Sequence, residues 1–221
     1  MPRPIRLAAA LLGLALSAAP AARAAEPVDA VGRVDVLSGH SLEMCSGTLI
    51  RPDLVLTAAH CVADPKDGYA RPIEGMVFLA GWSVAGHAGA ARVAGVEVHP
   101  DAFDGGRLDI AHDLALISLA RPIDVQGLRI GVSAAGGPFT ILGYGGDAPD
   151  RLARDNDCQG REDGPLWRLG CPIRKGQSGG PVLFGEGDAQ RVVAVMVATT
   201  EEASYAVPVD GWLRRAIATT R

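Results

Sequence analysis

Short apolar runs separated by turn residues recur along most of the chain, and they constrain its fold more than any other feature. The 28 glycines and 15 prolines are spread between them as punctuation. Such runs are typical of the strands of an antiparallel all-β protein. We predict strands at residues 33–37, 47–50, 76–80, 91–99, 114–119, 139–144, 165–169, 182–184, 192–199 and 205–209. A short C-terminal helix follows, with Asp210 as its N-cap and Trp212, Leu213 and Ile217 on one face.

The first 24 residues have the three parts of a secretory signal peptide. Arginines at positions 3 and 6 precede an apolar run over residues 7–18, and residues 22–24 form an A-x-A cleavage signal. The apolar run is shorter than the roughly 20 residues that a membrane-spanning helix needs. We therefore predict cleavage near Ala24 and a mature protein in the periplasm or the extracellular medium.

Charge argues against one class of partner. Removal of residues 1–24 takes away three arginines and no acid, so the formal net charge changes from −4 to −7. No basic block remains, which argues against nucleic-acid binding. No later segment has the length of a membrane span. We predict a monomer with two β halves, residues 25–125 and 126–221, because residues 121–129 interrupt the strand pattern.

The four cysteines, an even number in an exported chain, predict two disulfides. Sequence alone allows three pairings. We favour the local one, Cys45–Cys61 and Cys158–Cys171, which closes one short loop in each half. A zinc site is the alternative, but the CxxC and HxxxH spacings of zinc sites are missing. We expect no metal and no cofactor.

The segment CSGTLIRPDLVLTAAHC, residues 45–61, places His60 beside a cysteine at the end of an apolar run. Small residues at Ala58 and Ala59 allow the backbone to pack tightly and direct His60 outward. Imidazole accepts and returns a proton at neutral pH, so His60 is a candidate general base. The other histidines, at positions 40, 87, 99 and 112, are interpreted as structural.

Asp113 opens the second motif, DLALISL, at residues 113–119. A carboxylate at the mouth of an apolar strand is costly to bury unless it accepts hydrogen bonds. An imidazole N–H would satisfy this carboxylate, and the carboxylate would orient the ring. Asp109 is a nearby alternative, but we prefer Asp113 because the apolar run follows it directly.

The third motif, GQSGGPVL, places Ser178 among glycines, which permit positive φ and a close approach to the backbone. One interpretation is a tight turn before a strand. The other is a nucleophile activated by a base, with the N–H groups of Gly176 and Ser178 as an oxyanion hole. The order His, Asp, Ser, each with its own flanking pattern, favours the second interpretation.

With TAAHC, DLALISL and GQSGGPV in this order, the chain resembles the chymotrypsin/trypsin-like serine peptidases from about Val34 to its C-terminus. The resemblance implies two antiparallel six-stranded β-barrels with the site in the cleft between them. It also implies a triad of His60, Asp113 and Ser178 that needs no cofactor. A serine endopeptidase of this kind cleaves a protein or peptide substrate through an acyl-enzyme.

Two departures from the family pattern affect activation and specificity. Family members usually carry Asp before the serine, where it pairs with an N-terminus freed by zymogen cleavage; here that residue is Gln177, and no I-V-G-G start is present. We therefore predict no activation by an N-terminal ion pair. The position six residues before Ser178 is an aspartate in trypsin and Pro172 here. A preference for Arg or Lys in the substrate is therefore not supported.

Substrate specificity and activity both leave alternatives open. Arg174 and Lys175 either favour an acidic group of the substrate or are solvated loop charges. Thr199 or Thr200 is the candidate substitute for the serine that usually supports the aspartate. The alternatives to a peptidase are a catalytically silent protein on the same scaffold and an esterase or amidase with the same triad. The candidate substrate-binding residues are Pro172, Arg174, Lys175, Val197 and Thr199.

Overall fold

The computed structural model describes residues 27–38, 41–64, 68–146, 148–200 and 203–220. The predicted signal peptide at residues 1–24 and His40 lie outside the described residues. Within these ranges, no helix has both the length and the apolar character needed to cross a membrane.

Strands make up most of the regular structure. They are β1 (Val31–Ser38), β2 (Ser41–Arg51), β3 (Leu54–Thr57), β4 (Met76–Ala80), β5 (Gly89–Val98), β6 (Phe103–Asp104), β7 (Arg107–Leu108), β8 (Ala115–Leu119), β9 (Arg129–Ile130), β10 (Phe139–Gly145), β11 (Ala148–Cys158), β12 (Gly160–Asp163), β13 (Leu166–Leu169), β14 (Pro181–Phe184), β15 (Arg191–Thr199) and β16 (Ser204–Pro208). The helices are α1 (Ala59–Val62) and α2 (Gly211–Thr219), with short 3₁₀ helices at Pro27–Ala30, Ile73–Gly75, Ile110–His112 and Gly187–Ala189.

Six strands of the first half close into a barrel in the order β1-β2-β3-β8-β5-β4. Where one face of a strand is exposed to solvent, as in β4, buried and less buried residues alternate. β3, in contrast, is buried on both faces. β3 and β8 pair antiparallel, and Thr57 lies opposite Ala115. The segment that follows β3 and the segment that precedes β8 therefore meet at one end of the barrel, which places His60 close to Asp113.

The second half is an eight-stranded sheet. Its hydrogen-bonded path runs from β11 through β10, β14, β15, β16 and β13 to β12, and β9 pairs with β15 in parallel. The all-β class and the short C-terminal helix are thus confirmed. The resemblance implied six strands in this half. The extra strands are the two-residue β9 and the division of the outer chain into β11 and β12, whose residues are mostly exposed.

The two halves share one continuous core. Leu49 and Phe78 of the first half and Tyr144 and Val195 of the second belong to the same cluster of buried side chains. A second cluster fills the far side of the eight-stranded sheet, where Phe139 stacks on Trp167 with 5.2 Å between the ring centroids. The predicted boundary between residues 125 and 126 falls between β8 and β9.

Helix α2 ties the end of the chain back to the first half. Asp210 accepts the N–H of Leu213 at 2.7 Å, as predicted for an N-cap, and its other oxygen lies 3.1 Å from His99 Nε2. At the opposite end, Arg51 donates to the carbonyls of Ile217 and Thr220 at 3.2 and 2.9 Å. Because His99 and Arg51 belong to the first half, both ends of the helix are held there.

Candidate active site

His60 and Asp113 lie side by side at the end of the first barrel. His60 is on α1, directly after β3, and Ala58 and Ala59 before it are fully buried. Its Nδ1 lies 2.6 Å from Asp113 Oδ2, and its backbone N–H donates to Asp113 Oδ1 at 2.9 Å. A carboxylate that accepts both bonds fixes the position and the orientation of the ring. The short helical turn that begins at Ala59 therefore directs the His60 backbone N–H as well as its side chain towards Asp113.

Asp113 is completely buried, whereas the His60 side chain keeps 31% of its exposure. A buried carboxylate must accept hydrogen bonds, and among the described residues both of its donors come from His60. The threonines considered as support are engaged elsewhere. Thr199 donates to the Thr200 carbonyl at 3.3 Å, and Thr200 donates to the Ala203 carbonyl at 3.3 Å.

Asp109, the alternative to Asp113, has a different place. It caps the 3₁₀ helix at Ile110–His112, since its Oδ1 accepts the N–H of Ala111 at 3.0 Å. The Ala111 N–H, together with the hydrogen bond to His112, holds the pKa of the Asp109 carboxyl below its usual range. This carboxylate is exposed and organises its own turn.

Ser178 lies on the turn that joins β13 to β14. Gly176 and Gly179 on either side have φ of +96° and +83°, a conformation that side chains other than glycine rarely adopt. A Cβ atom on Gly179 would also collide with the Ser46 carbonyl and the Thr57 hydroxyl. The glycines predicted from the motif are thus required both by their conformation and by the close approach of β2.

Two carbonyls of the turn that carries Ser178 accept backbone N–H groups. Ser178 O accepts the N–H of Ser46 at 2.8 Å, and Gln177 O accepts the N–H of Gly180 at 3.0 Å. Within the described part of the chain, the N–H groups of Gly176 and Ser178 donate to no other group. These two neighbouring donors are therefore available to an oxygen of a ligand.

A cavity of about 580 Å³ brings the candidate residues together. His60, Gly176 and Ser178 line it. His60 Nε2 lies 3.7 Å from Cys61 Sγ, and no hydrogen bond joins it to the Ser178 hydroxyl among the residues that the structure describes. Bonds of this kind are often long without a substrate and tighten when one binds.

The candidate substrate-binding residues are divided among four places. Lys175 lines the cavity that His60 and Ser178 share. Pro172 and Thr199 line a separate cavity of about 550 Å³. Arg174 is an exposed residue of the turn that carries Ser178, and Val197 is only 4% exposed and belongs to the core. The Val197 side chain therefore offers no surface to a ligand.

Both disulfides follow the local pairing, Cys45–Cys61 and Cys158–Cys171. Cys45, His60 and Cys61 form a cluster with the spacing of metal ligands. Both of these cysteines are consumed in the disulfide, however, and metal sites use the thiolate form.

Ser46 is the site residue that the sequence analysis missed. It lies on β2 and is fully buried. Its hydroxyl donates to the Gly176 carbonyl at 2.9 Å, although 130 residues separate the two. The only signal in the sequence is a serine directly after Cys45, in a strand that mixes polar and apolar residues, and serines are common in such places.

Comparison with known sequences gives two matches. A model of the trypsin-like peptidase domain matches residues 45–195, which is more than half of the chain. A trypsin-like protease of Streptomyces glaucescens is 38% identical over 104 residues, which are 46% of this chain and 35% of that relative. The chain therefore matches about a third of the length of this relative.

Many solved structures have a similar fold, among them the following three. The thermostable serine protease AL20 from an extremophilic microorganism gives a TM-score of 0.72 at 18% identity, over 87% of this chain and 99% of that one. The scabies mite inactivated protease paralogue S-I1 gives 0.68 at 16%, over 88% and 96%. The protease Anisep from Arthrobacter nicotinovorans gives 0.66 at 17%, over 84% and 92%. Since one of the three is named as inactivated, the fold does not decide activity.

Proposed function

The chain belongs to the trypsin-like serine peptidase family, and on this premise we propose that it is an exported serine endopeptidase with the triad His60, Asp113 and Ser178. One observation carries the proposal. The 2.6 Å contact between His60 Nδ1 and buried Asp113 orients an imidazole in the cavity that Ser178 also lines. With its Nδ1 proton held by the carboxylate, the ring presents an unprotonated Nε2 as a base.

In the first half of the reaction, Ser178 Oγ attacks the carbonyl carbon of a peptide bond while its proton moves to His60 Nε2. The carbonyl oxygen becomes an oxyanion and accepts the N–H groups of Gly176 and Ser178. Each such donor contributes about 10²–10³ in kcat in other enzymes. His60 then returns the proton to the leaving amine, the C–N bond breaks, and Ser178 remains as an ester of the acyl fragment.

In the second half, water takes the place of the amine. His60 removes a proton from the water as its oxygen attacks the ester carbonyl, and the same two N–H groups hold the oxyanion. Collapse breaks the bond to Ser178 Oγ, which recovers its proton from His60, and the acid product leaves. Asp113 keeps its charge throughout and stabilises the imidazolium that forms in both halves.

Export is part of the proposal. Two disulfides are typical of proteins that mature outside the reducing cytosol. The signal-peptide pattern at residues 1–24 accounts for how the chain would reach such a compartment. N-terminal sequencing of the protein secreted by its host tests this, with a start near Ala25 expected and an intact Met1 contradicting it.

Casein digestion tests the peptidase proposal directly. We expect the purified protein without residues 1–24 to release peptides whose ends lie inside the casein chains, which distinguishes an endopeptidase from an exopeptidase. Ser178→Ala abolishes the release, whereas Ser133→Ala, a serine outside the cavity, leaves it unchanged. Release of peptides by Ser178→Ala contradicts the assignment of the nucleophile. Hydrolysis of a small ester without cleavage of casein favours the esterase alternative.

A further inference from the structure

One buried hydroxyl joins three separate segments of the chain behind the turn at residues 170–180, which carries Ser178 and is called the nucleophile turn below. Ser46 Oγ donates to the Gly176 carbonyl at 2.9 Å and accepts the N–H of Tyr144 at 2.8 Å. The backbone N–H of the same residue donates to Ser178 O at 2.8 Å. Ser46 thus contacts the turn at two carbonyls, one on each side of Gln177. It also connects this turn of the second half to β2 of the first.

The position of Ser46 is itself fixed. Its carbonyl accepts the Thr57 hydroxyl at 2.8 Å, and the residue has no solvent exposure. Tyr144, which supplies the N–H, is buried and donates its own hydroxyl to the Trp82 carbonyl at 2.9 Å. The single proton of the Ser46 hydroxyl has two carbonyls within reach, Gly176 O at 2.9 Å and Tyr144 O at 3.4 Å, and the shorter contact to Gly176 is the stronger hydrogen bond.

The hydrogen bond to Gly176 matters because that residue has no side chain to hold it. Glycine at φ +96° readily rotates the peptide that follows it. Ser46 fixes the carbonyl of this peptide, and Gly146 N–H fixes the carbonyl of the preceding one at Lys175 at 3.0 Å. A trans peptide points its N–H away from its carbonyl. Anchoring the Lys175 carbonyl therefore directs the Gly176 N–H outward. Anchoring the Gly176 carbonyl prevents the peptide between Gly176 and Gln177 from flipping.

Gln177, a neutral residue, lies between the two carbonyls that Ser46 contacts. It is 5% exposed, and its side-chain oxygen accepts the N–H of Arg174 at 2.5 Å. An amide at this position carries no charge, so no ion pair to it stabilises the turn. We propose that Ser46 is a positioning residue. Its hydroxyl holds the nucleophile turn so that the Gly176 and Ser178 N–H groups are oriented for an oxyanion before substrate binds. The inference rests on the proposed function of this site.

The test compares two buried hydroxyls on one strand. Ser46→Ala removes the hydroxyl that has partners. Thr48→Val removes a hydroxyl on β2 that is equally buried and is without a partner among the described residues. For each protein we would measure kcat and KM for p-nitrophenyl acetate, the second-order rate of labelling by a fluorophosphonate, and cooperative unfolding in urea.

We expect Ser46→Ala to lower kcat and the labelling rate by about 10- to 100-fold with KM within twofold. This is less than the loss of an oxyanion donor, since the donors remain and only their orientation is lost. Thr48→Val should match the wild type in all three constants. Ser46→Thr, which restores the hydroxyl, should recover much of the rate.

Several outcomes overturn the proposal. Wild-type kcat and labelling in folded Ser46→Ala refute it, as does a loss confined to KM. If Ser46→Ala does not fold in buffer, it and the wild type are compared in a stabilising osmolyte such as sucrose under the same criteria. The proposed function fails separately: in that case the wild type itself neither labels nor hydrolyses the ester, whatever residue stands at position 46.

Discussion

Tyr144 gives a pH dependence whose size follows from the structure. The residue is 1% exposed, and its hydroxyl crosses between the halves to the Trp82 carbonyl. Burial raises the pKa of Tyr144 from 10.0 to about 12, and the Asp29 carboxylate acts in the same direction. The neutral phenol is therefore favoured in the folded protein, whereas an unfolded chain releases the proton near pH 10.

Proton binding determines whether the free energy of unfolding rises or falls with pH. Above pH 10 the unfolded state holds fewer protons than the folded state, so the free energy of unfolding falls as pH rises through 10 towards 12. At pH 11 the two pKa values differ enough to remove about 1.4 kcal/mol relative to pH 8. Loss of the phenol in Tyr144→Phe removes this dependence and costs about 1 kcal/mol at pH 8 through the missing hydrogen bond.

Urea unfolding of both proteins at pH 8, 10 and 11 measures the effect. The wild type should be more stable than Tyr144→Phe by about 1 kcal/mol at pH 8 and about equal to it at pH 11. Other groups that titrate in this range cancel in the difference between the two proteins. A difference that stays constant within about 0.5 kcal/mol from pH 8 to 11 would contradict a raised pKa of Tyr144 in the folded protein, since it would require equal pKa values in the two states.

Three further changes have defined outcomes. Asp113→Asn should lower kcat for p-nitrophenyl acetate by about 10⁴ with the far-UV spectrum unchanged, because an amide favours the wrong imidazole tautomer; activity within tenfold of wild type would contradict this. Replacing Cys158 and Cys171 together by serine opens a loop with a sequence separation of 13 and should cost about 3 kcal/mol in urea unfolding; a loss below about 1 kcal/mol would contradict it. Gly179→Ala should prevent folding because its Cβ collides with β2, whereas Gly187→Ala, with φ +50° and open space around it, should cost only about 1–2 kcal/mol; equal yields of soluble protein from both would show that the collision is relieved.

Apolar runs in the sequence predicted the strands whose side chains face a core. The predicted strand at residues 192–199 corresponds to β15 at Arg191–Thr199, and that at 114–119 corresponds to β8, because apolar residues there face a core. His60 and Asp113 come together because β3 and β8 pair in one register. His60 follows the end of β3 and Asp113 precedes the start of β8, so the contact between them follows from strand pairing.

Other features depend on distant contacts and had no periodic signal. β11 and β12 were missed because their side chains are mostly exposed and charged or polar, as expected for strands at the edge of a sheet. Ser46 was missed because its partners lie 98 and 130 residues away, and a single buried serine has no pattern of its own. The choice of substrate-binding residues near the end of β15 depended on which of them face the cavity, and one sequence does not fix that. Val197, one of the residues chosen, lies in the core.

The proposed function requires that Ser178 is a nucleophile activated by His60. The most direct measurement is labelling of the folded, disulfide-intact protein by a fluorophosphonate, read as intact mass and located by peptide mapping. We expect one probe per chain, on Ser178, and no labelling of Ser178→Ala or His60→Ala. A folded wild-type protein that takes up no probe, or that is labelled equally after either substitution, would contradict the claim.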